Sequence, residues 1–514
     1  CGRQAGRPAG GAAADRGVLM GVVAGVDSST QSCTVELRDG DDGRLLGAGR
    51  VPHPATSPPV SEQHPSDWWT AFGGALAAAL DQAGLRADDL DAISVAAQCH
   101  GPVLLDAHDQ VLRPVKLWND TTSSPQAAAM VADLGGEGWA GAVGSVPTAA
   151  FTITKLAWVA RHEPDLLARV RRVLLPHDWL TWMLTGEPVT DRSEASGTGY
   201  YAAHESRYLP EHLRRWVHPD LDWEPMLPRV ADPAALVGTA GTPAARALGL
   251  RPDVRVGPGA GDQHAGALGI GLRPGQVLYS LGTSGVVMTT SATPVHDGTG
   301  WVDGVADAAG GWLPLMCSLN GTKVTDTVAR LLGVDLPTLA TLALAADRRP
   351  DRMVLAAYLD GERSPDRPDA RGLLGGLRTD ATREELALAA HEGVVLGLLR
   401  GHEAIRGAGA AADGEVVVTG GGARSAAYRQ VLADALGRPV QTRDAPEATA
   451  RGAAVQAAAV LAGVPVTAVR DGWTPARTSV TEPTADLPAD LRDRYLALTD
   501  WRQPTEGATP QHEE

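Results

Sequence analysis

The chain has 514 residues, 44% hydrophobic and 21% charged, with 60 glycines, 36 prolines and a net charge of −16. That length allows two large domains or about three of average size, each with a core. The acidic balance argues against a broad basic face for nucleic acid.

The four cysteines (Cys1, Cys33, Cys99 and Cys317) are widely spaced. They argue against a disulfide framework or a paired-thiolate zinc site and fit reduced thiols in a cytoplasmic protein. Only three lysines occur, Lys116, Lys155 and Lys323. None stands in a Gly-x-x-x-x-Gly-Lys frame, so a nucleotide must be held without that loop.

Residues 1–19 are rich in Gly, Ala and Arg, lack an apolar signal core, and are expected to be a disordered extension. The pattern predicts strands over Val22–Asp27 and Thr34–Arg38, joined by Ser28–Ser32. A helix from Trp68 to Leu80 is capped by Ser66 or Asp67. Strands are expected at Ala92–Ala97 and Val103–Asp106, and helices at Leu156–Arg161 and Asp178–Leu184, with Gly186 ending the second.

The pattern restarts near residue 254. A strand at Val254–Val256, a turn at Gly257–Gly261 and a helix from Asp262 to Ile270 precede a second hairpin, Gln276–Ser280 with Val286–Thr289. Helices follow at Lys323–Leu332 and Arg383–Arg406. A strand at Glu415–Val418 runs into Gly420–Gly422, then come helices Ser425–Leu436, Glu447–Ala462 and Asp486–Asp500. No window reads as a membrane span, since the longest candidate, Gly452–Val469, holds Gln456 and Pro465.

Alternating strands and helices in both halves predict an α/β protein built from two distantly repeated domains. The expected division is 20–253, 254–484 and a C-terminal helix with a frayed tail, 485–514.

Several segments can carry chemistry. Asp27–Ser32 places a carboxylate before small hydroxyl residues that can cradle phosphate, and Leu281–Gly285 offers a second such loop. Gly420, Gly421 and Gly422 end a buried strand and permit close approach of a ribose or flat ring. Asp262 opens a helix behind glycines, where the helix dipole favours an ionised carboxylate. Gln98–Gly101 puts polar groups at a strand's carboxyl end, where α/β sheets bind ligands. Trp118, Asn119 and Asp120 combine an aromatic face with polar groups suited to a polyol. Each segment alone also reads as an ordinary turn, cap or core residue.

The order and spacing of these segments, together with Lys155–Trp158, Leu175–Asp178 and Tyr358–Pro365, resemble the FGGY carbohydrate kinases, most closely the xylulokinase branch. The resemblance implies two actin-like (ribonuclease H-like) domains closing on a central cleft, with sugar on the first and ATP on the second. It implies D-xylulose, ATP and Mg²⁺ as ligands, no nucleic acid or membrane partner, and leaves room for a homodimer. Another ketopentose or sugar alcohol, or a weakly active sugar-binding role, is the alternative.

Residue by residue, the resemblance makes Asp262 the catalytic base and Asp27 and Asp262 the metal-associated carboxylates. Cys99, His100, Trp118, Asn119, Asp120 and Gln263 fall to the sugar. Ser29, Thr30, Gly282, Thr283, Gly420, Gly421, Gly422 and Ala423 fall to ATP. Five positions depart from the family pattern. Thr34 stands where a basic residue is usual, Cys99 where Met or Gln is common, Gln263-His264 where Asn and a small residue are usual, and Thr122 near a frequent Arg. The first implies one phosphate-neutralising charge fewer, and the rest a shifted sugar preference.

Overall fold

The computed structural model describes residues 21–501. The expected extension at 1–19 and the end of the tail lie outside them. Two seven-stranded sheets organise the chain. The first contains β1 (Val22–Ser28), β2 (Ser32–Asp39), β3 (Leu45–Pro52), β4 (Leu90–Ala97), β5 (Arg255–Val256) and β6 (Ala260–Gly261). The second contains β7 (Val277–Leu281), β8 (Gly285–Thr289), β9 (Trp312–Ser318), β10 (Val416–Thr419) and β11 (Val440–Arg443).

Both sheets have the same inner order, β3-β2-β1-β4-β5 in the first and β9-β8-β7-β10-β11 in the second. In each, an antiparallel meander of three strands is followed by parallel partners. The repeat expected from the two hairpins is therefore a repeat of topology, and the architecture is the two-domain actin-like one.

The first sheet runs past the division expected at 254. Strands β5 and β6 both pair with β4, so the first sheet is completed by residues 255–261. Parallel pairing demands that these short apolar and glycine-rich runs be covered on both faces. A position inside the first sheet supplies that cover.

Period-two alternation in β1 assigns its faces. Val22, Ala24 and Val26 join the core formed with Trp68, Phe72 and Leu76 of α1 (Pro65–Ala83). Val23 packs on the opposite face with Ala92, Ala96 and the Ala-rich helix near the end of the chain. The α1 cap is His64, whose ring accepts the Ser66 N–H; Ser66 and Asp67 are the second and third residues of the helix.

Two further helices cross between the halves. Helix α2 (Asp262–Gly269) follows β6 of the first sheet, yet its Ala267, with Ile270 just after it, packs on Leu278, Met288 and Val417 of the second. Helices α3 (Lys323–Leu332) and α4 (Arg383–Gly407) cover the other face of that second sheet. Helix α5 (Ala448–Ala462) is encoded in the second half but covers the first sheet.

Helices α2 and α5 meet backbone to backbone. A Cβ on Gly452 would come 1.8 Å from the Ala265 carbonyl, and one on Gly269 1.9 Å from that of Ala448. Gly25 of β1 likewise leaves room for the Ala450 carbonyl.

The final helix, α6 (Leu491–Asp500), is shorter than the expected Asp486–Asp500. Asp490 takes the N-cap position there, and Pro488 stands just before it. No single helix among the described residues is long and apolar enough to cross a membrane. The run Gly452–Val469 is broken by a 119° bend between α5 and the helix Val466–Gly472.

Candidate active site

The strand register builds the site. Asp27 of β1 lies beside Ala96 of β4, which in turn pairs with Ala260 of β6; Gly261 pairs with Ala97. Asp27, the segment after Ala97 and Asp262 after Gly261 therefore emerge side by side at the carboxyl ends of three parallel strands. Asp27 also continues the Val23, Gly25 side of β1, the side that faces α5. That edge is the usual ligand position of such sheets.

Asp262 is the first residue of α2, and its Oδ1 accepts the Gln263 N–H at 2.7 Å. Burial pushes its carboxyl up to about 6, and the negative charge of Glu194 adds to the shift. Asp27 is raised well above the ordinary carboxylate range by burial, then by the charges of Asp262 and Glu447. Its Oδ1 is buried and has no hydrogen-bond partner among the described residues. Two mutually repelling carboxylates, one of them orphaned, fit a hard divalent cation.

The turn before Asp262 is clamped from across the molecule. Gln456 of α5 accepts the Gly259 N–H at 3.0 Å and donates to the Gly259 carbonyl at 3.1 Å. Gly259 has φ +86°, and a Cβ there would meet His177 Nδ1 at 2.5 Å, so only glycine fits.

Cys99 and His100 leave β4 beside Asp262, with Cys99 Sγ 3.5 Å from Asp262 Oδ1. His100 adopts φ 71°, a left-handed conformation that costs on the order of 1–3 kcal/mol for a residue with a side chain. The surroundings hold it there. Its ring stacks on Phe151 at 5.5 Å, its carbonyl accepts the Thr152 hydroxyl at 2.9 Å, and its N–H donates to Glu194.

Glu194 is fully buried and was not singled out in the sequence, nor were His177 and Asp191 as a network with it. Asp191 caps the turn Arg192–Ala195 by accepting the Ser193 and Glu194 N–H groups. His177 Nε2 lies 3.2 Å from both Asp178 and Asp191. Burial alone would lower the His177 pKa, but the charges of Asp178 and Asp191 outweigh it and push it up to about 9. Against the cost of its own burial, Glu194 is held down at about 2 by His100 and His177.

The Trp118–Asp120 segment is partly open and partly buried. Trp118 and Asn119 are partly exposed, and Asn119 Oδ1 has no partner among the described residues. Trp118 Nε1 donates to Thr30 Oγ1 at 2.9 Å, tying this segment to the first loop. Gln263 is also partly exposed, one residue after Asp262.

Asp120, expected to contact sugar, is completely buried instead. Its oxygens accept from Ser61 N–H and Thr122 N–H, each at 3.0 Å, and from Lys116 Nζ at 3.4 Å. Burial alone would raise its pKa, yet the hydrogen bonds from Thr122 and Ser61 and the Lys116 charge hold it below the usual range. It anchors the segment from behind. Thr122, noted as a departure, accepts from Lys116 Nζ at 2.8 Å in the same network.

The first loop has a charge that Thr34 does not provide. Thr34 lies directly opposite Arg50 in the β2–β3 register. Arg50 Nε donates to Ser32 Oγ at 3.0 Å, and its guanidinium lies 4.0 Å from Glu447. Arg50 also lowers the Asp27 pKa. The missing basic residue on β2 is thus matched by one on β3. Ser29 closes the loop by donating to the Ser32 carbonyl at 3.3 Å.

In the second half, the two glycine-bearing segments are brought together. Gly420 and Gly422 press on Leu281, next to Gly282, and a Cβ on Gly420 would come 2.6 Å from the Leu281 carbonyl. Gly282 and Thr283 offer their carbonyls to Thr322 and Gly321. Thr283, Gly420 and Gly421 are exposed. Gly422 and Ala423 are buried, and the Ala423 carbonyl accepts from Arg429. Glu362 braces this region by accepting the Ser318 hydroxyl and the Leu319 N–H, each at 2.7 Å.

Both halves of the chain match known proteins. Residues 22–269 match the N-terminal domain of the FGGY family of carbohydrate kinases, and residues 277–461 match its C-terminal domain. The chain is 43% identical to the xylulose kinase of Streptomyces coelicolor over 448 residues, 87% of this chain and 89% of that protein. It is 34% identical to the Escherichia coli xylulose kinase over 396 residues, 76% and 79% of the two chains. The crystal structure of xylulose kinase from Bifidobacterium adolescentis superposes with a TM-score of 0.82 at 36% identity, covering 93% of this chain and 99% of that one. The chain belongs to the FGGY family of carbohydrate kinases.

Proposed function

We propose that this protein transfers the γ-phosphoryl group of ATP to the 5-hydroxyl of D-xylulose, giving D-xylulose 5-phosphate and ADP. The observation that carries the reading is the meeting of Asp27, Asp262, Cys99 and His100 at one sheet edge, within a chain similar over most of its length to xylulose kinases.

Asp262 takes the proton from the 5-hydroxyl as that oxygen attacks phosphorus. A base held at about 6 is ionised at neutral pH yet basic enough to accept a proton in the transition state. His100, Trp118 and Asn119 orient the sugar, with Cys99 and Gln263 beside the base. The amides around Ser29, Thr30, Gly282 and Thr283 receive phosphate oxygens, and Gly420–Ala423 form the adenosine platform. Arg50 supplies charge at the first loop.

Asp27 and Asp262 are the residues that would hold Mg²⁺, which when bound neutralises negative charge on the transferred phosphate. Every other part of the site positions groups and excludes water, the competing acceptor.

A coupled ADP-release assay over a panel of ketopentoses and sugar alcohols tests the substrate, and a better substrate than D-xylulose overturns that assignment. Asp262→Asn should cut turnover by about a hundredfold or more while sugar binding by calorimetry persists. Unchanged turnover in that variant removes Asp262 as the base.

A further inference from the structure

Three donors of different kinds converge beneath Asp262. A Cβ built on Gly261 would lie 2.5 Å from Glu194 Oε2, 2.6 Å from His264 Nδ1 and 2.9 Å from Cys99 Sγ. Cys99, Glu194 and His264 each bring one ligand atom to within 4.8 Å of the others. The residues come from three separate elements, the end of β4, the turn Arg192–Ala195 and α2, so the meeting is a product of the fold.

Two of the three donors are also unsatisfied. Glu194 Oε2 and both ring nitrogens of His264 are buried without a hydrogen-bond partner among the described residues. Glu194 is 0% exposed and His264 4%. Buried polar atoms in native proteins almost always find partners, and such exceptions need a reason.

The donor set selects the ligand. Thiolate, imidazole and carboxylate together suit a borderline-soft cation such as Zn²⁺, with bonds of ~2.3, ~2.0 and ~2.1 Å. Mg²⁺ prefers an all-oxygen shell and is a poor match for sulfur and nitrogen. Two ligands of one tetrahedral ion at ~2.3 Å (sulfur) and ~2.1 Å (oxygen) stand ~3.6 Å apart. Cys99 Sγ and Asp262 Oδ1 are separated by 3.5 Å.

We propose that Cys99, Glu194 and His264 form a Zn²⁺ site that takes Asp262 as its fourth ligand and so inhibits phosphoryl transfer. Binding forms the zinc–sulfur bond and releases the Cys99 thiol proton to solvent, with no change of oxidation state. Once coordinated, the Asp262 carboxylate is unavailable to accept a proton from sugar. This inhibitory part rests on Asp262 being the base, whereas the binding part does not.

Co²⁺ is the probe, added to nucleotide-free protein in a Cys1→Ser, Cys317→Ser background, which leaves Cys99 and the buried Cys33 as the two thiols. The expected result is a thiolate-to-cobalt charge-transfer band that saturates at one equivalent and is bleached by Zn²⁺. Cys99→Ser should abolish the band, and His264→Gln should weaken Co²⁺ binding by ~100-fold. Absence of the band, its survival in Cys99→Ser, or unchanged affinity in His264→Gln overturns the site.

Zn²⁺ should also inhibit turnover of that background protein reversibly, with recovery on adding a chelator. Co²⁺ binding without Zn²⁺ inhibition refutes coordination of Asp262. Full activity of Asp262→Asn with MgATP and without Zn²⁺ or Co²⁺ refutes its role as base and leaves the metal result standing.

Discussion

Acidification should switch the enzyme off with a midpoint near the Asp262 pKa. With the carboxyl at about 6, its ionised share is about nine-tenths near pH 7 and about one-tenth near pH 5, so kcat/KM should fall ~10-fold across that interval. At the ordinary value of 3.8, the same interval would remove less than about a tenth of the activity. The sign follows from chemistry, since a general base works only when deprotonated and a raised pKa moves the loss toward neutrality.

Glu194→Gln tests the cause. The amide keeps an oxygen for the His100 N–H but removes the anion that helps raise Asp262, so the acid limb should move to lower pH. Initial rates at subsaturating D-xylulose and saturating MgATP give kcat/KM at each pH, and return to neutral buffer checks that the protein stayed folded. A flat profile between about pH 5 and 7, or a limb that stays in place in Glu194→Gln, refutes the electrostatic account.

Three other changes probe the framework. Arg50→Ala should raise the KM for ATP by ~10-fold, the worth of about one charge-assisted contact, with little change in the KM for sugar. Gln456→Leu frees both polar groups of Gly259 and should lower kcat by ~100-fold through misplacement of Asp262, more than it raises either KM. His177→Gln leaves Asp178, Asp191 and Glu194 without their buried cation and should cost ~3 kcal/mol or more in urea unfolding. An unfolding midpoint unchanged from the parent would contradict that balance of charges.

The sequence conveyed the hairpins and the turn before Asp262 because their signals are local. Alternating apolar residues around Ser28–Ser32, or glycines before Asp262, carry their meaning within ten residues. Strand β3 was not legible, because Gly47 and Gly49 weaken a strand pattern. Their reason lies in α1, whose Ala79 and Ala75 carbonyls would stand 2.4 and 2.1 Å from a Cβ at those positions.

Glu194 was missed because nothing in its neighbourhood states that it returns to β4. One local signal existed, Asp191 followed three residues later by Glu194, the spacing of a helix start. Arg50 shows the opposite error: reading Thr34 along the chain found a charge missing, while the pairing of β2 with β3 places one alongside. The burial of Asp120 was hidden for a related reason, since a carboxylate near a Trp looks the same in sequence whether it faces a cleft or a buried lysine.

Helix α5 has a consequence for synthesis. The face of the first sheet bearing Val23, Ala92 and Ala96 emerges from the ribosome long before residues 448–462, the segment that covers it. Until then the nascent amino-terminal half presents an uncovered apolar surface and a Gly259 turn without Gln456. A fragment ending near residue 269, where the first family domain stops, would carry that defect permanently. The enzyme is inherited as two similar halves but matures as one unit, and the amino-terminal half is finished only by the carboxyl-terminal one.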